Sequence, residues 1–340
     1  FVFGRAGADS QLGYDSNTDY NGDSNGDAQP RAFQWQAGTG TDERIGAMAT
    51  MVYQPTDTLK MQLDYFHSEF DRGDQRHGVT VGGMTNPNNF IATDTTVTNG
   101  VLTGATIAPV DVTAGGDSTP WFESRSEDQS TKADSASYGL NIEWHVTDAS
   151  TLTFDASRST GDKTRKDRIV TMHDYTFSNG GADWQETAGS LTYAYNGSSI
   201  PTGTLSGVDL TDENGVYLGR YEEYPHEYTD EVDAFKVDFS QDVEWGFISG
   251  IEVGARVSDR NFDSNRGTFL YGTRWGQDSG SGCDRNMTQD PVLTCAPLPL
   301  DGYVTVGSTP GAPDHLVVTD MQGLAEDVFG PGNFEGAKYW

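Results

Sequence analysis

The chain is poor in the residues that build an ordinary protein core. Of its 340 residues 35% are hydrophobic, and mean hydropathy is −0.58. No stretch approaches the ~18 consecutive apolar residues of a membrane-crossing helix, which excludes a helical span. Basic residues are also scarce: 21 Lys and Arg stand against 51 Asp and Glu, a formal charge of −30. That balance argues against nucleic acid as a partner, and against docking on anionic lipid through a basic patch. Three readings of the acidity stay open. The acidic segments attract a cationic ligand, bind divalent cations, or keep the protein solvated in saline water.

Cysteine is nearly absent. Cys283 and Cys295 lie close together amid Gly, Ser, Asp and Pro. Such a pair reads as a loop disulfide, which requires an oxidising compartment. Closing that loop is worth about 3 kcal/mol in the chain-entropy model. No other Cys or His lies at zinc spacing nearby. Catalytic patterns are missing too: there is no G-x-S-x-G elbow, H-E-x-x-H helix or P-loop. The six histidines are scattered. Glu222, Glu223 and Glu227 cluster beside Tyr221, Tyr224 and Tyr228 and read as a solvated loop segment. The expectation is a protein that is not an enzyme.

What is present is strict alternation of polarity, in three hairpins at about 44–70, 135–160 and 233–262. In the first, Ile45, Ala47, Ala49, Met51 and Tyr53 share one face, and Leu59, Met61, Leu63 and Tyr65 continue it after the turn. In the second, Tyr138, Leu140, Ile142, Trp144 and Val146 alternate with Gly139, Asn141, Glu143 and His145, and Leu152, Phe154 and Ala156 follow. In the third, Phe235, Val237 and Phe239 are answered by Ile251, Val253, Ala255 and Val257. Period-two alternation means strand. The polar face carries charge at nearly every step, including Asp64, Glu143, Asp238, Glu252 and Arg256. That suits a water-filled lumen better than a core, where unpaired charge is costly.

Short turns near Thr56, Ala149 and Gly246 alternate with long polar connections at about 6–43, 71–134, 161–232 and 261–340. Short turn and long loop in alternation predict an all-β fold: an antiparallel transmembrane β-barrel segment with short periplasmic turns and long extracellular loops. Tyr53, Trp144 and Trp245 beside the turns, with Tyr65 and Tyr138 toward the loops, give the two aromatic levels that membrane interfaces favour. All 340 residues then belong to one outer-membrane barrel domain. The chain opens on Phe1-Val2-Phe3-Gly4-Arg5, like a strand already under way, and reads as a piece of a larger protein.

Two further candidate sites fall in the long connections. The aromatics Trp121, Phe122, Trp184, Tyr271 and Trp275 are candidates to stack a ligand above the lumen mouth. The stretch from Asp15 through Asn17, Asp19 and Asp23 resembles the front of a calcium loop. The Glu demanded at the twelfth position is missing, so an EF-hand is excluded and only a looser Ca²⁺ site is left.

The segments RIGAMATMVYQPTDTLKMQLDYFHSEFD, SYGLNIEWHVTDASTLTFDASRS and EVDAFKVDFSQDVEWGFISGIEVGARVSDR resemble barrel strands of TonB-dependent outer-membrane receptors. The resemblance covers the six strands and little of the connections. It implies active uptake of a scarce nutrient across the bacterial outer membrane, with the TonB complex acting through a plug that is not in this chain. Its ligand would be a small molecule, with an oligosaccharide favoured over a metal chelate because of the loop aromatics. The alternatives are a passive cation-selective porin and a surface β-rich adhesin without a transport role.

Overall fold

The computed structural model describes residues 2–9, 15–84, 88–110, 120–178, 183–196, 200–267, 269–272, 297–300 and 302–329. In chain order the strands are β1 (Val2–Asp9), β2 (Asp15–Thr18), β3 (Asp27–Gln29), β4 (Phe33–Thr56), β5 (Leu59–Gly82), β6 (Phe90–Thr98), β7 (Val101–Pro109), β8 (Trp121–Thr147) and β9 (Ser150–Ser178). Then follow β10 (Asp183–Glu186), β11 (Ser190–Ala194), β12 (Thr202–Ser206), β13 (Val216–Trp245), β14 (Ile248–Arg266), β15 (Phe269–Gly272), β16 (Val304–Gly307), β17 (His315–Val318) and the helix α1 (Met321–Phe329). The fold is all-β and almost wholly antiparallel, and β3 beside β7 is parallel.

The main sheet is an antiparallel meander in the order β1-β4-β5-β8-β9-β13-β14, with β10 and β15 added at one end. Among the described residues no sheet closes on itself, and β1 and β14 form the free edges. The three tight turns, at Asp57–Thr58, Asp148–Ala149 and Gly246–Phe247, lie at one end of this sheet. Neighbouring hairpins are tied there by His145 N–H donating to the Thr58 carbonyl and Asp242 N–H to the Ala149 carbonyl. Gly246 has φ +66, a left-handed conformation that glycine adopts without strain, whereas the turns at Asp57–Thr58 and Asp148–Ala149 close without one.

The strands are far longer than the sequence suggested. β4, β5, β8, β9 and β13 run for 24, 24, 27, 29 and 30 residues. Much of 6–43, 71–134 and 161–232, read above as loop, is therefore continuous ladder, and those boundaries are corrected. The reason is physical: apolar alternation ends where one face stops being apolar, but backbone pairing does not need it. Polar side chains bridging along and across strands carry the sheet onward.

Register decides the faces, because directly opposed residues point the same way. Three apolar rows cross the meander: Leu59–Trp144–Leu152–Phe239–Val253, Tyr53–Met61–Ile142–Phe154–Val237–Ala255 and Met51–Leu63–Leu140–Ala156–Phe235–Val257. Among the described residues no second layer covers this band: on the outer strands Met51 is 58%, Val253 63% and Val257 67% exposed, while Ile142, Phe154 and Val237 on the central strands are half-buried among their row neighbours. Tyr53, Tyr65, Tyr138, Trp144 and Trp245 are exposed with it, and the Tyr65 and Tyr138 rings lie 5.2 Å apart. The opposite face is mostly polar, with Met48, Val52, Phe66, Phe70, Val232 and Phe262 among its apolar exceptions.

Further from the turns the same apolar face is covered. Two hydrophobic clusters sit there. One packs Phe33, Trp35, Val79, Val81 and Phe122 against β6, β7 and β11, which belong to a second, six-stranded sheet. The other packs Val170, Met172, Leu218 and Tyr221 against β17 and α1. Asp320 caps α1 by accepting the Gly323 N–H at 2.8 Å. Trp35 is wholly buried, stacks on Phe33 at 5.3 Å and donates its indole N–H to the Pro201 carbonyl at 2.7 Å. Gly203 lies so close that a Cβ there would come within 2.9 Å of the Trp35 ring. Trp35→Ala should therefore cost about 3–5 kcal/mol, the range for emptying a buried aromatic site. A denaturant titration followed by near-ultraviolet circular dichroism measures it; a loss below 1 kcal/mol would contradict this packing.

Candidate functional site

The polar face of the main sheet is the candidate site. Its residues come from alternate positions on every long strand. Near the turns it carries the five polar residues singled out from sequence. Asp64 accepts hydrogen bonds from Thr50 at 2.7 Å and Gln62 at 2.9 Å. Glu143 lies 3.1 Å from His145, and Asp238 pairs with Lys236. Glu252 stands opposite Ser240, and Arg256 opposite Lys236. All five share the face, but they are spread over four strands and do not form one cluster.

Above them, acids and bases alternate along strands at two-residue spacing. Asp74 sits between Arg72 at 3.1 Å and Arg76 at 3.3 Å. Arg125 pairs with Glu127 at 2.5 Å, Arg165 with Asp167 at 2.8 Å and Arg220 with Glu222 at 2.5 Å. The sequence offered this signal as Arg-x-Asp and Arg-x-Glu, a period-two charge pattern that marks strand as well as apolar alternation does. Near the far end, buried His173 lies 2.5 Å from Glu186 and 3.8 Å from Glu123. Burial pushes the His173 pKa down, but the two carboxylates outweigh it and hold the ring protonated above its usual range.

The apolar face changes character just beyond its bare band. There Glu43 stands opposite Asp71, Glu69 opposite Asp134, Asp134 opposite Asp162, and Asp233 opposite Asp259. Like charges directly opposed are destabilising in a sheet, so this carboxylate belt is a costly arrangement. Lys132, Arg158 and His67 offset part of it, at 3.3 Å from Asp71, 3.3 Å from Glu231 and 3.1 Å from Glu69. His67, Glu69 and Asp134 present ligand atoms within 4.8 Å of one another, a set able to hold a cation.

Comparison with protein-family models, curated proteins and solved structures gave no match. The sheet must be interpreted from its own chemistry.

The aromatic candidates are dispersed. Trp121 is on the polar face opposite Gly82, while Phe122 points the other way and is 3% exposed in the core. Trp184 lies on β10 opposite Phe177, and Tyr271 pairs by backbone with Tyr221. Trp275, Cys283 and Cys295 fall outside the described residues. In the acidic turn, Asp19 accepts backbone N–H groups of Gly22 at 2.6 Å and Ser24 at 2.7 Å, bonds that hold its pKa below the usual carboxylate range. Asp23 accepts the Asn25 N–H at 2.8 Å. These carboxylates shape their own turn, while Asp15 and Asn17 belong to β2.

One histidine pair joins the main sheet to the segment carrying β17. His77 Nδ1 and His315 Nε2 are 3.0 Å apart, and His315 Nδ1 lies 3.0 Å from the Pro313 carbonyl. The carbonyl fixes the His315 tautomer, so His77 donates to it. Burial lowers both pKa values. Groups with folded pKa values below the unfolded one stabilise fully above about pH 6.5 and lose that contribution as pH falls. Thermal stability of the native chain should therefore drop between pH 7 and 5 by more than in His315→Gln, in melts followed by near-ultraviolet circular dichroism. Parallel profiles for the two proteins would refute this role.

Proposed function

We propose that this chain is a segment of a bacterial outer-membrane β-barrel, of the TonB-dependent receptor type, that captures a small nutrient for import. The observation that carries the reading is the bare apolar band. Contiguous exposed apolar surface beyond a few hundred Å² marks an interaction site or a membrane surface. On β8 the band runs from Tyr138 to Val146, roughly 27 Å along the strand.

The slope of the band supports lipid as its partner. Its far border is Ile45 on β4, level with Glu69, and Val257 on β14, level with Leu63. That is a descent of six residues over five strand-to-strand steps. With rises of ~3.3 Å and spacings of ~4.8 Å, the strands lean about 40° from the membrane normal. Barrel strands lean by about 35–45°. The turns descend in the same sense, since β13 and β14 run on past the level of Ser150 to Trp245 and Ile248. In this reading the polar face lines the lumen, the turns are periplasmic, and the carboxylate belt stands at the outer headgroups. Import driven through TonB rests on the resemblance of the three hairpin segments to that family.

Leu140→Arg should cost about 2–4 kcal/mol in a urea titration of folding into lipid vesicles, as for a charge facing lipid near the midplane. Asn141→Arg, one residue along and on the lumen face, should cost much less. Equal costs at the two positions would overturn the membrane reading.

A further inference from the structure

The charge of the polar face is unlike that of the chain. Two successive rows cross it, Arg44–Phe70–Ala133–Lys163–Tyr228–Ser264 and Asp42–Arg72–Thr131–Arg165–His226–Arg266. In a protein of formal charge −30 they hold five cations and one carboxylate. The carboxylate belt lies at the same level on the other face. The sheet is thus polarised through its thickness, acidic outside and basic within.

Arg72 and Arg165 are committed to Asp74 and Asp167. Lys163 and Arg266 have no ion-pair partner among the described residues. Lys163 instead sits 5.7 Å over the Tyr228 ring and Arg266 5.8 Å over the Tyr224 ring. A cation on a ring face keeps its N–H groups free for an anion. His226 lies between them, directly opposite both Arg165 and Arg266, and its Nδ1 is 2.8 Å from the Tyr228 hydroxyl. Burial lowers the His226 pKa most, and the cations Arg266, Arg165 and Lys163 lower it further against Asp167. A cavity of about 390 Å³ opens beside Arg165, Tyr224, His226 and Arg266. The carboxylates Asp74, Glu127, Asp128 and Asp167 line it too, but they are held in ion pairs by Arg76, Arg165 and Arg168, which leaves Arg266 as its lining cation without an ion pair among the described residues.

We propose that Lys163, Arg266 and the tyrosines beneath them form a capture site for an organic polyanion with a flat ring, such as an aromatic polycarboxylate. The proposal rests on the polar face being the lumen wall and names the ligand class that wall selects. Guanidinium and ammonium groups take the carboxylates, and the tyrosine rings offer stacking surface. The acidic remainder of the chain repels anions elsewhere, so the patch is a local minimum for them.

The test is calorimetric titration of the whole chain in detergent micelles with benzene-1,2,4,5-tetracarboxylate, using maltotriose as the neutral comparison. The tetracarboxylate should bind, more weakly as salt rises, and maltotriose should give no heat. K163Q/R266Q should lose at least tenfold in affinity, whereas R158Q, which removes a charge from the opposite face, should bind like the parent. K163R/R266K keeps both charges and should keep the affinity, and circular dichroism confirms that each variant folds. Parent-like binding by K163Q/R266Q, loss in the charge-keeping variant, or no binding by folded parent would overturn the site. Failure of the membrane reading is separate: it shows in Leu140→Arg, and binding lost in K163Q/R266Q would support the site even then.

Discussion

The backbone ladder from β4 to β14 is the constraint on which everything else depends. Side chains alternate with period two, so a slip of one residue in any pairing would exchange the faces. The apolar rows, the carboxylate belt and the basic rows exist only because five consecutive pairings keep register over most of their length. Irregularities are confined to strand ends: before Thr56, Thr147 and Trp245 at the turns, and between Leu218 and Arg220 at the far end. Bulges placed there re-aim a few side chains without disturbing the rows between.

The hairpins were legible because apolar alternation is the strongest local signal of a half-exposed strand. Ile45 to Tyr53 and Tyr138 to Val146 could be assigned by face from sequence alone. The far halves of the strands were not legible, because Asp71 to His77 or Lys163 to Arg168 offer no apolar period. Their strand character comes from partners on other strands. Phe122 looked like a surface aromatic for the same reason: its burial depends on a second sheet built from distant segments. The two basic rows could not be seen either: Lys163 and Arg165 are neighbours on one strand, but the other separations among the five cations are 28 to 222 residues, and they meet only through register.

Electrostatics and hydrophobicity divide the molecule into levels. Near the turns one face is apolar and the other mixed in charge. Beyond that band the apolar face turns acidic while the opposite face turns basic. Further still, the first face becomes a dry core under β7, β11, β17 and α1. Arg168 marks the lower edge of that core, with Asp128 at 3.1 Å, Glu223 at 3.2 Å and Gln322 of α1 at 3.4 Å. A partly buried guanidinium held by two carboxylates is well satisfied, and removing either acid would leave charge stranded.

The bond from Trp35 to Pro201 joins residues 166 positions apart, and β7 pairs with β6 along one edge and with both β3 and β11 along the other. The covering sheet is therefore interleaved from three separate stretches of chain, whereas each hairpin of the main sheet closes on its immediate neighbour. Loop-closure entropy and contact order set an order of events. The hairpins can zip one by one as the chain emerges, but the cover cannot seal until β11 and Pro201 have arrived. In the interval Trp35, Phe33 and Phe122 stand open to water, and that is when the chain is most exposed to aggregation.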